Sequence, residues 1–179
     1  MAKTYILFLR GVMPTGRNRV PMAQLREILI AAGFENVQTW IQSGNVVLKT
    51  DLQPKILAGT VSKLIEDKIG AQIPVVVKSR EDLVRIIEEN PFQGEEHDIS
   101  RVFFAMFNGE LDEGLKAKLL AEDFSPEYLA ITDHAAYMYI PGTYGRGKLS
   151  NNFLEKKLKA VATSRNFNTI SKMIELGVG

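Results

Sequence analysis

Cysteine is absent from the 179 residues, which excludes disulfides, cysteine nucleophiles and thiolate zinc sites at the outset. Histidine occurs only twice, as His97 and His134, and no H-x-x-x-H spacing exists to suggest a zinc enzyme. His97 stands among Glu95, Glu96 and Asp98, which reads as a solvated acidic loop rather than a hard-cation site. No apolar run approaches the ~20 residues of a transmembrane helix. The opening run Tyr5 to Leu9 is short and ends at Arg10, so a signal-peptide pattern is lacking too. Net charge is close to nil, +1 from 22 basic and 21 acidic side chains, less than a globally basic nucleic-acid binder carries. These absences lead us to expect a cytoplasmic protein with no membrane association, no metal and no cofactor.

What is present is ordinary in amount and uneven in placement. Hydrophobic residues at 45% and charged residues at 24% are the proportions of a folded globular chain. From Gly142 to Lys172 the bases Arg146, Lys148, Lys156, Lys157, Lys159, Arg165 and Lys172 face only Glu155. From Glu81 to Asp98 the balance reverses, with Arg85 alone among seven acids. The chain is neutral but polarised.

Apolar periodicity gives the element order. Thr4 to Leu9 reads as a strand, and Pro21 suits the first turn of a helix whose apolar face ends at Gly33. Val37 to Gln42 and Asn45 to Thr50 read as a hairpin around Ser43-Gly44. Asp51 is the expected cap of a second helix reaching Gly70, and Ile73 to Lys78 is a β-branched strand. This β-α-β-β-α-β order is that of the ferredoxin-like fold. A helix from Ser79 to Asn90 and an acidic linker follow. A second series then begins at Arg101: a strand, a helix over Asp112 to Ala121, two strands, and a helix from Ser150. There the closing strand is missing from the pattern, and Phe167, Ile170, Met173 and Ile174 form a helical stripe instead. The expectation is therefore an α+β fold of two ferredoxin-like (split β-α-β) halves, the second modified with an extra C-terminal helix. The divisions fall at 1–79, 80–100 and 101–179.

Four segments carry candidate chemistry. The loop Arg10 to Arg19 holds Arg10, Arg17, Asn18 and Arg19, two glycines and no acid, immediately before a helix; amides and guanidinium forks of this kind suit phosphate or carboxylate. In Gln42-Ser43-Gly44-Asn45 a hairpin turn explains the Ser-Gly pair, while Gln42 and Asn45 are candidates for the same rim. Gly142 to Lys148 matches G-x-x-x-x-G-K, but Leu149 replaces the Ser or Thr that would hold magnesium. Arg146 and Lys148 are accordingly read as contacts to an anion, not as a nucleotide-hydrolysing loop. Thr163 to Thr169 offers Arg165, Asn166 and Asn168, alongside the plainer reading that Thr163 or Ser164 caps the last helix.

Several of these segments together resemble a known family. Phe8-Leu9-Arg10-Gly11, Asn18-Arg19-Val20-Pro21-Met22, Ile41-Gln42-Ser43-Gly44-Asn45-Val46-Val47, Lys148-Leu149-Ser150-Asn151 and Thr163-Ser164-Arg165-Asn166-Phe167-Asn168-Thr169 are similar to the bacterial domain-of-unknown-function family 1697. The resemblance runs nearly end to end and implies a small bacterial cytoplasmic protein with two α/β halves. It supplies no activity. Members usually read Gly-Ile-Asn-Val-Gly-Gly after the first arginine, whereas this chain has Gly11-Val12-Met13-Pro14-Thr15-Gly16.

The leading expectation is a small anionic ligand, phosphate-bearing or otherwise, held in a cleft between the two halves. Arg10, Arg17, Asn18, Arg19, Asn45, Arg146, Lys148, Arg165, Asn166 and Asn168 are its candidate contacts. Nucleic acid is the other anionic candidate, although stacking aromatics are lacking on Val46-Val47-Leu48. Two alternatives stand beside it. One is a small acyl- or phosphoryl-group hydrolase in which Arg17 and Asn45 imitate the arginine and asparagine of acylphosphatases, an analogy of fold alone. The other is a protein-interaction module without catalysis.

Overall fold

The computed structural model describes all 179 residues. Eight strands and six α-helices follow one another as β1 (Lys3–Leu9), α1 (Met22–Ala31), β2 (Glu35–Trp40), β3 (Asn45–Thr50), α2 (Pro54–Ile69), β4 (Val75–Lys78), α3 (Arg80–Glu88), β5 (Val102–Phe107), α4 (Glu113–Leu120), β6 (Tyr128–Ile131), β7 (Ala136–Tyr139), α5 (Asn151–Leu158), β8 (Ala162–Asn166) and α6 (Phe167–Leu176). They form two four-stranded sheets of order β2-β3-β1-β4 and β6-β7-β5-β8. All strand pairs are antiparallel. Each sheet therefore has the split β-α-β order, with its first strand inside and its second at an edge. The chain divides into two compact units, Met1–Glu81 with Lys172–Gly179, and Asp82–Ser171.

In the first unit Tyr5, Leu7 and Leu9 of β1 pack with Leu25 and Leu29 of α1 and Leu57, Val61 and Ile65 of α2. Each fully buried Leu or Ile contributes about 1.5–3 kcal/mol. The alternate residues Ile6 and Phe8 are buried as well, so β1 reads as an unbroken apolar run instead of an alternating one. The C-terminal segment covers that side at Ile6: a Cβ on Gly177 would lie 2.9 Å from the Ile6 Cδ1. In the second unit Ala105, Phe107, Ala136 and Met138 pack with Leu119 of α4 and Leu154 and Leu158 of α5. On the other side of that sheet the Tyr137 hydroxyl donates to Ile86 O of α3 at 2.8 Å.

Three local expectations change. The closing strand of the second series is present as β8, paired with β5 through Phe104↔Arg165 and Met106↔Thr163. Its sequence, Ala-Thr-Ser-Arg-Asn, lacks an apolar alternation because only Ala162 and Thr163 are buried. The last helix is capped by Asn166, whose Oδ1 accepts the Thr169 N–H at 2.9 Å, and not by Thr163 or Ser164. Asp51 caps nothing on α2, which begins at Pro54 after Gln53 with no side-chain cap; proline's fixed φ suits that first position. Ser150 does cap α5, accepting the Phe153 N–H. No helix is long and apolar enough to cross a membrane.

Candidate functional site

The first unit carries a recess of about 370 Å³ where β1 hands over to α1. Its walls are Met13, Pro14, Arg19, Val20, Pro21, Met22, Ala23 and Gln42. Backbone bonds fold the loop above it: Met13 N–H donates to Asn18 O at 2.9 Å, and Arg19 N–H to Gly16 O at 3.3 Å. The hairpin turn is fastened beside the loop by Leu9 N–H donating to Gly44 O at 2.8 Å. Gly44 has φ +83°, and a Cβ there would stand 2.6 Å from the Leu9 Cβ and 3.0 Å from the Val12 Cγ2. This contact brings Gln42 to the same recess as Arg19.

Two further features mark this corner. Helix α1 starts after Pro21 with no side-chain cap and no acid in its first turn, so its leading N–H groups lack an intrahelical or side-chain partner. Ile41 holds φ +49°, a left-handed conformation that a β-branched residue adopts only under constraint. The constraint lies in the turn itself. Asn45 is fully buried, and its Nδ2 donates to Trp40 O at 3.1 Å and to Ser43 Oγ at 2.9 Å. Asn45 thus organises the turn from inside. Arg17 and Arg19 are exposed and paired with no carboxylate, whereas Arg10 and Asn18 are half-buried.

The second unit carries a larger recess, about 760 Å³, between the β7–α5 loop and the α4–β6 loop. Arg146, Gly147 and Lys148 line one side, with Gly142 and Thr143; Asp123, Phe124, Ser125, Pro126 and Glu127 line the other, with Ile140. Lys148 Nζ sits 5.8 Å above the Phe124 ring and 3.4 Å from Asp123 O. Asp123 Oδ1 accepts from the Ser125 N–H and hydroxyl, which hold its carboxyl below the usual range. Glu127 is only 7% exposed. Its Oε1 accepts the Leu149 N–H at 3.1 Å, and its Oε2 has no hydrogen-bond partner. Sequence reading missed Glu127, because nothing in Ser-Pro-Glu-Tyr signals a carboxylate folded inward.

The remaining late candidates lie elsewhere in that unit. Arg165 sits on β8, its Nη1 donating to Thr163 Oγ1 at 2.7 Å and Ser164 O at 2.9 Å. Burial pulls its guanidinium down to about 10, so it stays charged at neutral pH. Asn166 is spent on capping α6, and Asn168 is exposed on the first turn of that helix. The late motifs are tied to each other by structure. Asn151 Nδ2 donates to Ala162 O at 2.9 Å, and the Ser164 hydroxyl donates to Asn151 Oδ1 at 2.8 Å. No group of three His, Asp or Glu side chains is placed to hold a metal ion.

Two antiparallel sheets of split β-α-β order define an α+β protein built from two ferredoxin-like units. The chain belongs to the family described as protein of unknown function (DUF1697), whose model matches residues 2–137. Among solved structures it is similar to the conserved bacterial protein SP0830 from Streptococcus pneumoniae, with 22% identity and a TM-score of 0.73 over 99% of each chain. That likeness establishes the fold. None of the curated proteins compared matches the chain.

Proposed function

We propose that the protein binds a phosphate-bearing or other anionic small molecule at the recess over the start of α1. The observation that carries this reading is the coincidence of Arg19, Gln42 and the uncapped first residues of α1 around one opening. Unpaired helix N–H groups and the positive end of the helix dipole attract an anion, and an arginine free of carboxylates adds a fork for its oxygens. Arg10, Arg17 and Asn18, on the same loop, are the reserve contacts. Asn45 supports the fold of the turn and holds Ile41 and Gln42 in place. Binding is favoured over hydrolysis because the Asn45 amide, the group a hydrolase would use to position water, donates inward to Trp40 O and Ser43 Oγ.

Calorimetric titration with inorganic phosphate, phenyl phosphate, adenosine monophosphate and a short single-stranded oligonucleotide tests the proposal. At least one should bind with an affinity that falls as salt rises. Arg19→Glu should abolish that binding, and Arg146→Glu should leave it within about threefold. No binding of any of these anions at low salt, or equal binding by Arg19→Glu, overturns it.

A further inference from the structure

The larger recess of the second unit has a chemistry unlike that of the first. Its volume of about 760 Å³ lies within the range of small-molecule pockets, roughly 300–1,000 Å³. Four charged side chains line it, Asp123 and Glu127 against Arg146 and Lys148. Asp123 holds the Ser125 N–H and hydroxyl through Oδ1. In Glu127 one oxygen holds the Leu149 N–H, and the other is buried without any donor. A buried acceptor left unpaired is destabilising, and more so when charged. That is a standing demand for a donor, and a positively charged one meets it best. Arg146 and Lys148, on the same lining, carry donors and no acceptor, and Lys148 Nζ lies 3.4 Å from Asp123 O.

We propose that this recess binds a zwitterionic small molecule of the amino-acid class, its ammonium on Glu127 and its carboxylate on Arg146 and Lys148. A purely anionic ligand would satisfy the two bases but bring a second negative charge beside Glu127 and leave Oε2 unpaired. A purely cationic ligand would satisfy Glu127 and be repelled by Arg146 and Lys148. A molecule carrying both charges answers both sides. Phe124, Pro126 and Ile140 form the apolar wall for its side chain. Gly147 is part of the device, because a Cβ there would stand 2.2 Å from the Glu127 Oε1. This inference is independent of the anion site in the first unit.

The test uses the full chain, amide-resolved NMR and the standard L-amino acids, each beside its N-acetyl and methyl-ester forms. Saturable shifts at the Gly147 and Leu149 amides are expected with at least one free amino acid. Acetylating the ammonium or esterifying the carboxylate should weaken binding about tenfold or more, as should the Arg146→Ala, Lys148→Ala double variant. Glu127→Gln keeps an acceptor for the Leu149 N–H and should lose the preference for the free ammonium. Arg19→Glu should leave these shifts unchanged. Should Glu127→Gln fail to fold, the acetylated ligands on the unaltered protein decide the matter. The proposal is overturned by the absence of saturable shifts with every amino acid into the millimolar range. Equal binding of the N-acetyl forms, or the same shifts from inorganic phosphate alone, overturns it as well.

Discussion

Gly147 and Glu127 are packed so closely that a Cβ on the glycine would lie 2.2 Å from Oε1 and 2.4 Å from Cδ of the carboxylate. The carboxylate is inside the unit and holds the Leu149 N–H, so it cannot simply swing into solvent. Gly147→Ala is expected to break that hydrogen bond or displace the loop, at a cost of about 1–3 kcal/mol. Gly142→Ala is the matched control, since its Cβ would meet nothing within 4 Å. Urea denaturation of the two variants gives the answer; equal stabilities would show that the contact is slack.

Gly44→Ala acts on the first recess through two separate effects. The residue has φ +83°, which costs an L side chain about 1–2 kcal/mol. The added Cβ also drives against Leu9 and Val12, an overpacking worth about 1–3 kcal/mol. A loss of about 2–5 kcal/mol is therefore expected by chemical denaturation. Anion binding should weaken with it, because Gln42 depends on this turn for its place. Full stability would mean that Leu9 yields.

The first ferredoxin-like unit was legible in the sequence because its strands are β-branched and its helices end on Gly33 and Gly70, the latter with φ +86°. The second unit hid its last strand. Thr163-Ser164-Arg165-Asn166 joins the sheet through its backbone, and its side chains bind Asn151 and Thr163 instead of filling a core. Of the candidate contacts, Arg19 lines the first recess beside Gln42, and Arg146 and Lys148 line the second. Their charge and glycine neighbours were the readable part. Asn45 looked like a surface amide because a hairpin turn is usually exposed, and sequence carries no mark of a turn pressed onto Leu9. Glu127 was invisible for the same reason, since its inward turn depends on a distant glycine.

Asn151 links two motif segments that are adjacent in space and separate in sequence. Its amide donates to Ala162 O and accepts from Ser164, while its backbone N–H donates to the Tyr144 hydroxyl at 2.8 Å. Asn151→Ala removes these two side-chain bonds and a longer one from Nδ2 to Glu155 Oε1 at 3.4 Å, and leaves the Ala162 carbonyl and Ser164 hydroxyl short of partners. A loss of about 1–3 kcal/mol is expected, read as a lower denaturation midpoint. An unchanged midpoint would remove the structural role assigned to Asn151.

Glu89 and His134 form a pair at 2.9 Å through Oε2 and Nδ1. Arg85 Nη1 lies 3.4 Å from the other ring nitrogen. The hydrogen bond from His134 is the main reason the Glu89 carboxyl is held below its ordinary 4.5. A depressed folded-state value means stability present above pH 4.5 and lost as pH falls through the lowered value. His134→Ala should return the Glu89 titration, followed by carbon NMR, towards its ordinary position and flatten the acid limb of the stability curve. An unchanged titration would assign the depression to another group.

Tyr137 sets the opposite limb. Burial, helped by the nearby Glu89 charge, pushes its phenol up from 10.0 to about 12. Below pH 10 the phenol is protonated in both the folded and unfolded chain, and its contribution is fully present. Between pH 10 and about 12 the unfolded chain ionises first, so stability is lost as pH rises through that window. Tyr137→Phe removes the group that titrates and also the hydrogen bond to Ile86 O, at about 1 kcal/mol near neutrality. The variant should therefore start less stable than the parent and lose less on going to high pH. Urea midpoints at pH 8 and pH 11 measure both effects, and parallel losses in the two proteins would show that Tyr137 ionises as freely in the folded state as in the unfolded one.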